Sequence, residues 1–100
     1  KQSYHGYTTG CLALSESMRK NAFRAVCMPD SQFPKVSPCY AYRGMSQGES
    51  MQDYCDRLLK EIEDTVLEAG SSKVAAILCE TLSGSTLGTD LRQVRHSHVA

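Results

Sequence analysis

The feature that most constrains the fold of this chain is an amphipathic segment at residues 50–69. Ser50 is a favourable N-cap residue, and Asp53 places an acid in the first turn. Apolar residues recur on one face at helical spacing, and charged residues fill the other face. The apolar residues are Met51, Tyr54, Cys55, Leu58, Leu59, Ile62, Val66 and Ala69. Because Gly70 follows as a natural C′ residue, we predict a helix over 50–69 that covers a core on one side.

A continuous apolar run, VAAILC, follows this helix at residues 74–79. It is too short for an ordinary helix and is typical of a strand buried on both faces in a parallel sheet. A helix that leads into such a strand is half of a βαβ unit, which predicts an α/β fold with a mostly parallel sheet flanked by helices. Because a central strand needs neighbours, we expect the chain to be a slice of a larger domain.

Two further segments are less regular. Apolar residues spaced by 4, 3 and 4 positions predict a first helix that begins near Gly6; they are Tyr7, Cys11, Leu14 and Met18. Residues 21–48 contain all three prolines of the chain, which disfavour long regular elements. We predict a long connection there, with at most short strands around residues 23–28 and 38–42.

Charge and hydropathy exclude several classes of protein. Eleven basic and eleven acidic residues cancel, whereas nucleic-acid binding needs a basic excess on one face. No run of eighteen apolar residues is present, so we expect no membrane span. The chain begins without Met and without a secretory signal pattern. We therefore expect a cytoplasmic protein whose true N-terminus lies upstream.

The cysteines and histidines give little support for a disulfide or metal site. The five cysteines form no CxxC pair, and their odd number argues against a disulfide framework. We predict buried, reduced thiols. His96-Ser97-His98 could join a cysteine in binding a metal, but its spacing is not that of common zinc sites. A disordered tail is the simpler interpretation of that segment.

Glycine pairs at Gly6–Gly10 and Gly84–Gly88 mimic the G-x-S-x-G nucleophile elbow of hydrolases, with threonine as the nucleophile. That elbow needs a strand before it and a helix after it. The first pair lacks a visible strand and the second lacks a following helix. Helix-start and turn glycines therefore explain both pairs better than a hydrolase site does.

Two positions are better candidates for a site. Glu80 is the first residue after the predicted strand, and ligands of open parallel sheets gather at the carboxyl ends of strands. It could equally be a structural carboxylate. Tyr4-His5-Gly6 could be a frayed chain end, or an aromatic platform beside a flat ligand, where Gly6 allows close approach of the backbone.

Three blocks taken together resemble a known family. SYHGYTTGCLALS, FPKVSPCYAYRG and, after the amphipathic helix, VAAILCETLSGSTLG occur in that order. This arrangement is similar to the class III aminotransferases, which are pyridoxal-phosphate enzymes of the ω-amino acid and ornithine aminotransferase type. The resemblance covers about residues 1–88, and it implies the large α/β domain of fold type I. Residues 89–100 depart from the family and are expected to be a divergent, disordered tail.

The resemblance also implies which residues bind the cofactor. Tyr4 matches the aromatic residue that lies against the cofactor ring, and His5 and Gly6 match the next two positions. Glu80 matches the acid of the family's Glu-Pro motif near the cofactor, although Thr81 replaces the proline. No lysine of this chain stands where the family has its cofactor-binding lysine. The resemblance thus assigns cofactor-binding residues but no catalytic residue.

The implied function is transfer of an amino group from an amine or ω-amino acid to a keto acid through pyridoxal 5'-phosphate. The complete enzyme is expected to be a homodimer, and the 100 residues alone are expected to be inactive. A truncated gene, a frame change or an unspliced intron would account for both ends. The alternatives are a non-catalytic small α/β interaction module and, more remotely, a metal-binding domain.

Overall fold

The computed structural model describes residues 2–80, 82–83 and 89–90, the last two pairs through their backbone only. Three α-helices are present: α1 at Thr9–Leu14, α2 at Ala41–Gly44 and α3 at Met51–Ala69. Short 3₁₀ helices cover Met18–Val26, Asp30–Gln32 and Ser71–Lys73. Strands β1, Leu82–Ser83, and β2, Thr89–Asp90, pair in antiparallel register, with Leu82 opposite Asp90. The described residues are therefore mainly helical.

Helix α3 confirms the element that the sequence predicts best. The Ser50 hydroxyl oxygen accepts from the Asp53 backbone N–H at 3.1 Å, and the Ser50 hydroxyl donates to the Asp53 carboxylate at 2.6 Å. At the other end, Gly70 has φ 88° and its N–H donates to the Leu67 carbonyl oxygen. This left-handed conformation favours glycine, so the helix stops where the sequence predicts.

The predicted fold class is wrong for the described residues. A mostly parallel sheet requires residues 74–79 to form a paired strand, yet they form no strand, and Ile77 is 61% exposed. The two short described strands are antiparallel and lie beyond this segment. A strand buried on both faces needs hydrogen-bonding neighbours on both sides, and residues 2–80 supply none. The same finding contradicts the α/β architecture of the alternative, a small interaction module.

The first half of the chain also differs from expectation. Helix α1 begins at Thr9, capped by the Thr8 hydroxyl, and ends at Leu14. Met18, the last residue of the predicted stripe, is 88% exposed and begins the first 3₁₀ helix instead. Short helices replace the strands predicted around residues 23–28 and 38–42. This half of the chain therefore consists of short helices, turns and irregular segments.

A small core lies where α2 meets α3. Tyr54 is 1% exposed, and its hydroxyl accepts from the Tyr40 N–H at 2.9 Å and donates to the Pro38 carbonyl at 3.2 Å. The same ring lies against Gly44, where an added Cβ would come within 2.7 Å of the Tyr54 hydroxyl oxygen. One tyrosine thus fixes the proline-containing connection onto α3.

The cysteine prediction holds in part. All five cysteines are free, as expected, but only Cys55 is buried, and Cys79 is exposed. Burial raises the pKa of the Cys55 thiol, and it also raises the pKa of Cys39, which is half-buried. Both groups therefore stay protonated and act as small apolar side chains.

No helix among the described residues is long and apolar enough to cross a membrane. No group of three potential metal ligands occurs among the same residues. His96-Ser97-His98 and the Gly84–Gly88 pair lie outside the described residues.

The hydrogen bonds of Glu49, which lies between α2 and α3, predict a low midpoint for the titration of its carboxyl group. Arg57 donates to both oxygens of the Glu49 carboxylate, at 2.8 and 2.9 Å, and the Ser46 N–H donates at 2.8 Å. These bonds, the Arg57 bond foremost, lower the pKa of Glu49 from an ordinary value of 4.5 to about 2. The pair therefore stabilises the fold above pH 4.5, and this contribution is lost as the pH falls towards 2. A carboxyl-carbon NMR titration measures the midpoint.

Arg57→Gln serves as the control for this titration. It removes the charge next to Glu49, so the midpoint should move up towards the ordinary glutamate range. A midpoint near 4.5 in the unsubstituted protein would contradict the expectation.

Candidate functional site

The structure brings two of the predicted site residues together across most of the chain. The Tyr4 backbone N–H donates to the Glu80 carboxylate at 2.5 Å, although the two residues are 76 positions apart. Glu80 directly follows the apolar segment 74–79, which forms neither a helix nor a strand. The sequence does not indicate this contact, because the contact depends on the path that the chain takes between the two residues.

His5 and Gly6 are held by the end of α1. The His5 N–H donates to the Ser15 hydroxyl oxygen at 2.8 Å, and the Ser15 hydroxyl donates to the Cys11 carbonyl at 2.8 Å. Gly6 has φ 119°, and an added Cβ would lie 3.3 Å from the Cys11 Cβ. Both the backbone conformation and the close approach favour glycine at this position.

Aromatic and cationic groups surround the Tyr4 ring. Tyr7 meets it edge-on, with the ring centroids 5.4 Å apart, and Phe23 meets Tyr7 in the same way at 6.1 Å. The Arg19 guanidinium carbon lies over the Tyr4 ring, 5.4 Å from its centroid, in a cation–π arrangement. A flat ligand stacking on Tyr4 would therefore use the face opposite Arg19.

A buried lysine supports the segment that carries Arg19. Lys20 is 1% exposed, and its ammonium donates to the carbonyls of Ala13 and Ser15 and to the Asp30 carboxylate. The hydrogen bond from Lys20 is the largest cause that lowers the pKa of Asp30. Because a buried charge must be paired, Lys20 fixes the first 3₁₀ helix against the end of α1.

A second lysine reaches the same carbonyl. The Lys35 ammonium donates to Ala13 O at 2.7 Å and to Phe33 O at 3.0 Å. Partial burial, and then the nearby Lys20 charge, lower the pKa of Lys35. Both lysines thus hold the chain around α1 together, which gives them a structural role.

Sequence reasoning missed three residues that shape this region. Ser15, Arg19 and Lys20 look like an ordinary helix residue and two surface cations. The structure makes Ser15 fully buried and places Arg19 over Tyr4. The sequence offers one signal, which is the serine at position 15, where the apolar spacing of the helix ends. A serine that faces a core needs a hydrogen-bond partner.

We predict that Ser15→Ala loosens the Tyr4–Gly6 segment. The substitution removes the acceptor of the His5 N–H and leaves that donor unpaired, which costs about 1–3 kcal/mol when the group is buried. Amide hydrogen exchange should show faster exchange at His5, while the amides of α3 stay unchanged.

Thr9→Ala is the matched control, because Thr9 is exposed and lies in α1, the helix that Ser15 caps. It should leave the exchange rate at His5 unchanged. Equal protection of His5 in the Ser15 variant would show that the serine does not position this segment.

Proteins named aminotransferase match most of this chain. An uncharacterised aminotransferase of Schizosaccharomyces pombe is 40% identical over 89 residues, which are 88% of this chain and 19% of that protein. An aminotransferase of Gibberella zeae is 36% identical over 88 residues, which are 87% of this chain and 17% of that protein. The chain therefore spans less than a fifth of the length of either relative.

The stretch that this chain shares with these relatives is thus similar to a part of proteins named aminotransferase. No family model matches the chain. No solved structure matches it either.

Proposed function

We propose that this chain forms part of a class III, pyridoxal-phosphate-dependent aminotransferase. The reaction is transfer of an amino group from an amine or ω-amino acid to a keto acid, carried out by a longer, homodimeric protein. The observation that carries the proposal is the hydrogen bond from the Tyr4 N–H to the Glu80 carboxylate. The family resemblance assigns both residues to one cofactor site, and this contact puts them side by side.

The cofactor fits the described residues in part. The half-buried Tyr4 ring offers an aromatic face, and the absence of a side chain at Gly6 lets the chain turn tightly behind it. Lys20, Lys35 and Lys60 are held by other groups, and the resemblance matches neither these nor the exposed Lys73 to the lysine of covalent attachment. We therefore assign this chain one wall of the site and place the remaining groups elsewhere in the longer protein.

Pyridoxal phosphate, when bound, supplies the electron sink for the chemistry at the amino-bearing carbon. In our proposal Tyr4 orients the cofactor ring by stacking, on the face opposite Arg19. The Glu80 carboxylate fixes the Tyr4 backbone, and Ser15 fixes His5, so the ring keeps one position. These residues act by positioning rather than by moving protons.

The longer protein tests this proposal. Tyr4→Ala should weaken pyridoxal phosphate binding about tenfold, since aromatic stacking and the area it buries are worth roughly 1–2 kcal/mol. Binding is measured by titrating the protein with the cofactor and following its absorbance. Tyr4→Phe keeps the ring and should bind nearly as tightly as the unsubstituted protein.

Tyr42→Ala is the matched control, because Tyr42 is 86% exposed and its ring contact is with Tyr40. It should leave the affinity unchanged. An unchanged affinity in Tyr4→Ala would refute the stacking role, and absence of transferase activity in the longer protein would refute the function. The 100-residue chain alone should yield no pyridoxyl-lysine after borohydride reduction.

A further inference from the structure

Two lysine side chains meet at one carbonyl oxygen beside the end of α1. The Lys20 nitrogen donates to the Ala13 oxygen at 3.2 Å, and the Lys35 nitrogen donates to the same oxygen at 2.7 Å. Two positive charges that share one acceptor repel each other, and partial burial removes some of the water that would screen them. The arrangement therefore favours the loss of a proton from this cluster.

The number of acceptors distinguishes the two nitrogens. Lys20 has three acceptors, two backbone carbonyls and the Asp30 carboxylate, which match the three N–H donors of an ammonium group. Lys35 has two acceptors among the described residues, the carbonyl oxygens of Ala13 and Phe33. A neutral amine has two N–H donors, so Lys35 can lose a proton and keep both hydrogen bonds. Its nitrogen then has a lone pair that no bond uses.

The charges around Lys35 favour the same assignment. Burial, and then the Lys20 charge, lower the pKa of Lys35, whereas the charges of Asp30 and Glu16 raise it less. Asp30 already binds Lys20 and Arg24. Lys35 therefore has a larger neutral fraction near neutral pH than an ordinary lysine.

The surroundings of Lys35 are those of a reactive amine. Its side chain is half-buried rather than enclosed, so a small reagent can reach the nitrogen. The Phe33 ring, whose centroid is 5.8 Å from that nitrogen, adds apolar surface beside it. A lysine that is partly desolvated and next to another cation is an activated nucleophile.

We propose that Lys35 is a site of covalent acylation by small acyl thioesters. The amine lone pair attacks the thioester carbonyl carbon, so that an N–C bond forms and the C–S bond breaks. The thiolate leaves with the electron pair of that bond and takes up the proton that the nitrogen loses. Nothing is oxidised or reduced. This modification is separate from the proposed transfer of amino groups.

An acyl donor fits Lys35 better than an aldehyde does. The amide product keeps one N–H, which still donates to one of the two carbonyl oxygens. A neutral imine keeps no N–H, and a protonated imine restores a positive charge beside Lys20. We therefore expect an amide at Lys35 but no stable imine.

The test incubates the 100-residue chain with a small uncharged thioester, S-acetyl-N-acetylcysteamine, over a series of pH values. Dithiothreitol then removes acetyl groups from the cysteines, and peptide mass spectrometry measures acetylation at each lysine. At about pH 8, Lys35 should react about threefold faster than Lys60, since a larger neutral fraction outweighs the lower nucleophilicity of a less basic amine. The bond of Lys60 to Asp64 raises the pKa of Lys60, which makes it a slow reference.

Two further readouts separate the folded environment from the local sequence. The rate at Lys35 should level off at a lower pH than the rate at the exposed Lys73. Unfolding the chain in urea should remove the difference between Lys35 and Lys60, because the contacts that cause it are lost.

Glu16→Gln tests the electrostatic cause. The Glu16 charge raises the pKa of Lys35, so its removal should speed acetylation of Lys35 about twofold by enlarging the neutral fraction. Glu68→Gln is the matched control, because Glu68 is exposed in α3 and is not among the charges that act on Lys35. It should leave the rate unchanged. Unchanged α3 amide NMR shifts in each variant establish that it is folded.

Several results would overturn the proposal. One is acetylation of Lys35 that is no faster than that of Lys60, and another is a difference between them that persists in urea. A Lys35 rate that levels off at or above the pH found for Lys73 would have the same meaning. So would an unchanged or slower Lys35 rate in the Glu16 variant, or an equal acceleration in the Glu68 variant.

Discussion

Tyr54→Ala is expected to lower the free energy of unfolding by about 3–5 kcal/mol, as do other large aromatic truncations in cores. The ring is 1% exposed and is the largest side chain in the α2–α3 core. Its loss leaves a cavity and removes the bonds of its hydroxyl with the Tyr40 N–H and the Pro38 carbonyl, which keep only their 2.9 Å bond to each other. Denaturant unfolding followed by circular dichroism measures the change.

Tyr54→Phe separates the two causes. It keeps the ring and deletes only the hydroxyl, so the loss should be about 0.5–1.5 kcal/mol, the net worth of a hydrogen bond, because the Tyr40 N–H keeps its bond to the Pro38 carbonyl. In both variants the Tyr40 amide should exchange faster with solvent. A Tyr54→Ala protein as stable as the unsubstituted chain would mean that this core does not hold the helices together.

Gly44→Ala is expected to destabilise the same corner by about 1–3 kcal/mol, as overpacking of a filled core does. The new Cβ would lie 2.7 Å from the Tyr54 hydroxyl oxygen and 3.1 Å from a ring carbon. Tyr54 cannot easily withdraw, since its hydroxyl is bonded on two sides. The measurement is again the free energy of unfolding.

Gly10→Ala is the matched control for a glycine in a helix. Gly10 lies in α1, and nothing stands within 4 Å of the position that its Cβ would take. Alanine is the better helix former, so this variant should gain about 0.5–1 kcal/mol. Equal effects at the two positions would show that the contact with Tyr54 is not what makes Gly44 necessary.

The local signals in the sequence predict helix α3 well. Its start at Ser50 and its end at Gly70 depend on hydrogen bonds between near neighbours, which a single sequence contains. The fold class could not be predicted from such local signals. An apolar run such as 74–79 has the composition of a buried strand wherever it lies, and only its neighbours decide whether it pairs.

The candidate site, too, could be predicted from the sequence only in part. Tyr4, His5, Gly6 and Glu80 follow from the resemblance, and the contact of Tyr4 with Glu80 emerges only in three dimensions. Their cofactor-binding role stays a prediction. Arg19 and Ser15 could not be chosen from sequence, because many arginines and serines of any chain look the same before their partners are known.

The hydrogen bond between Tyr4 and Glu80 has a consequence for the order of events during synthesis. The two groups are separated by 76 residues, and a ribosome adds roughly 5–20 residues per second. The carboxylate that binds the Tyr4 N–H is therefore synthesised roughly 4–15 s after Tyr4 itself. Helix α1 and its serine can fix His5 long before then. The contacts among residues 4–15 can thus form before synthesis reaches Glu80, whereas the contact of Tyr4 with Glu80 forms only after it.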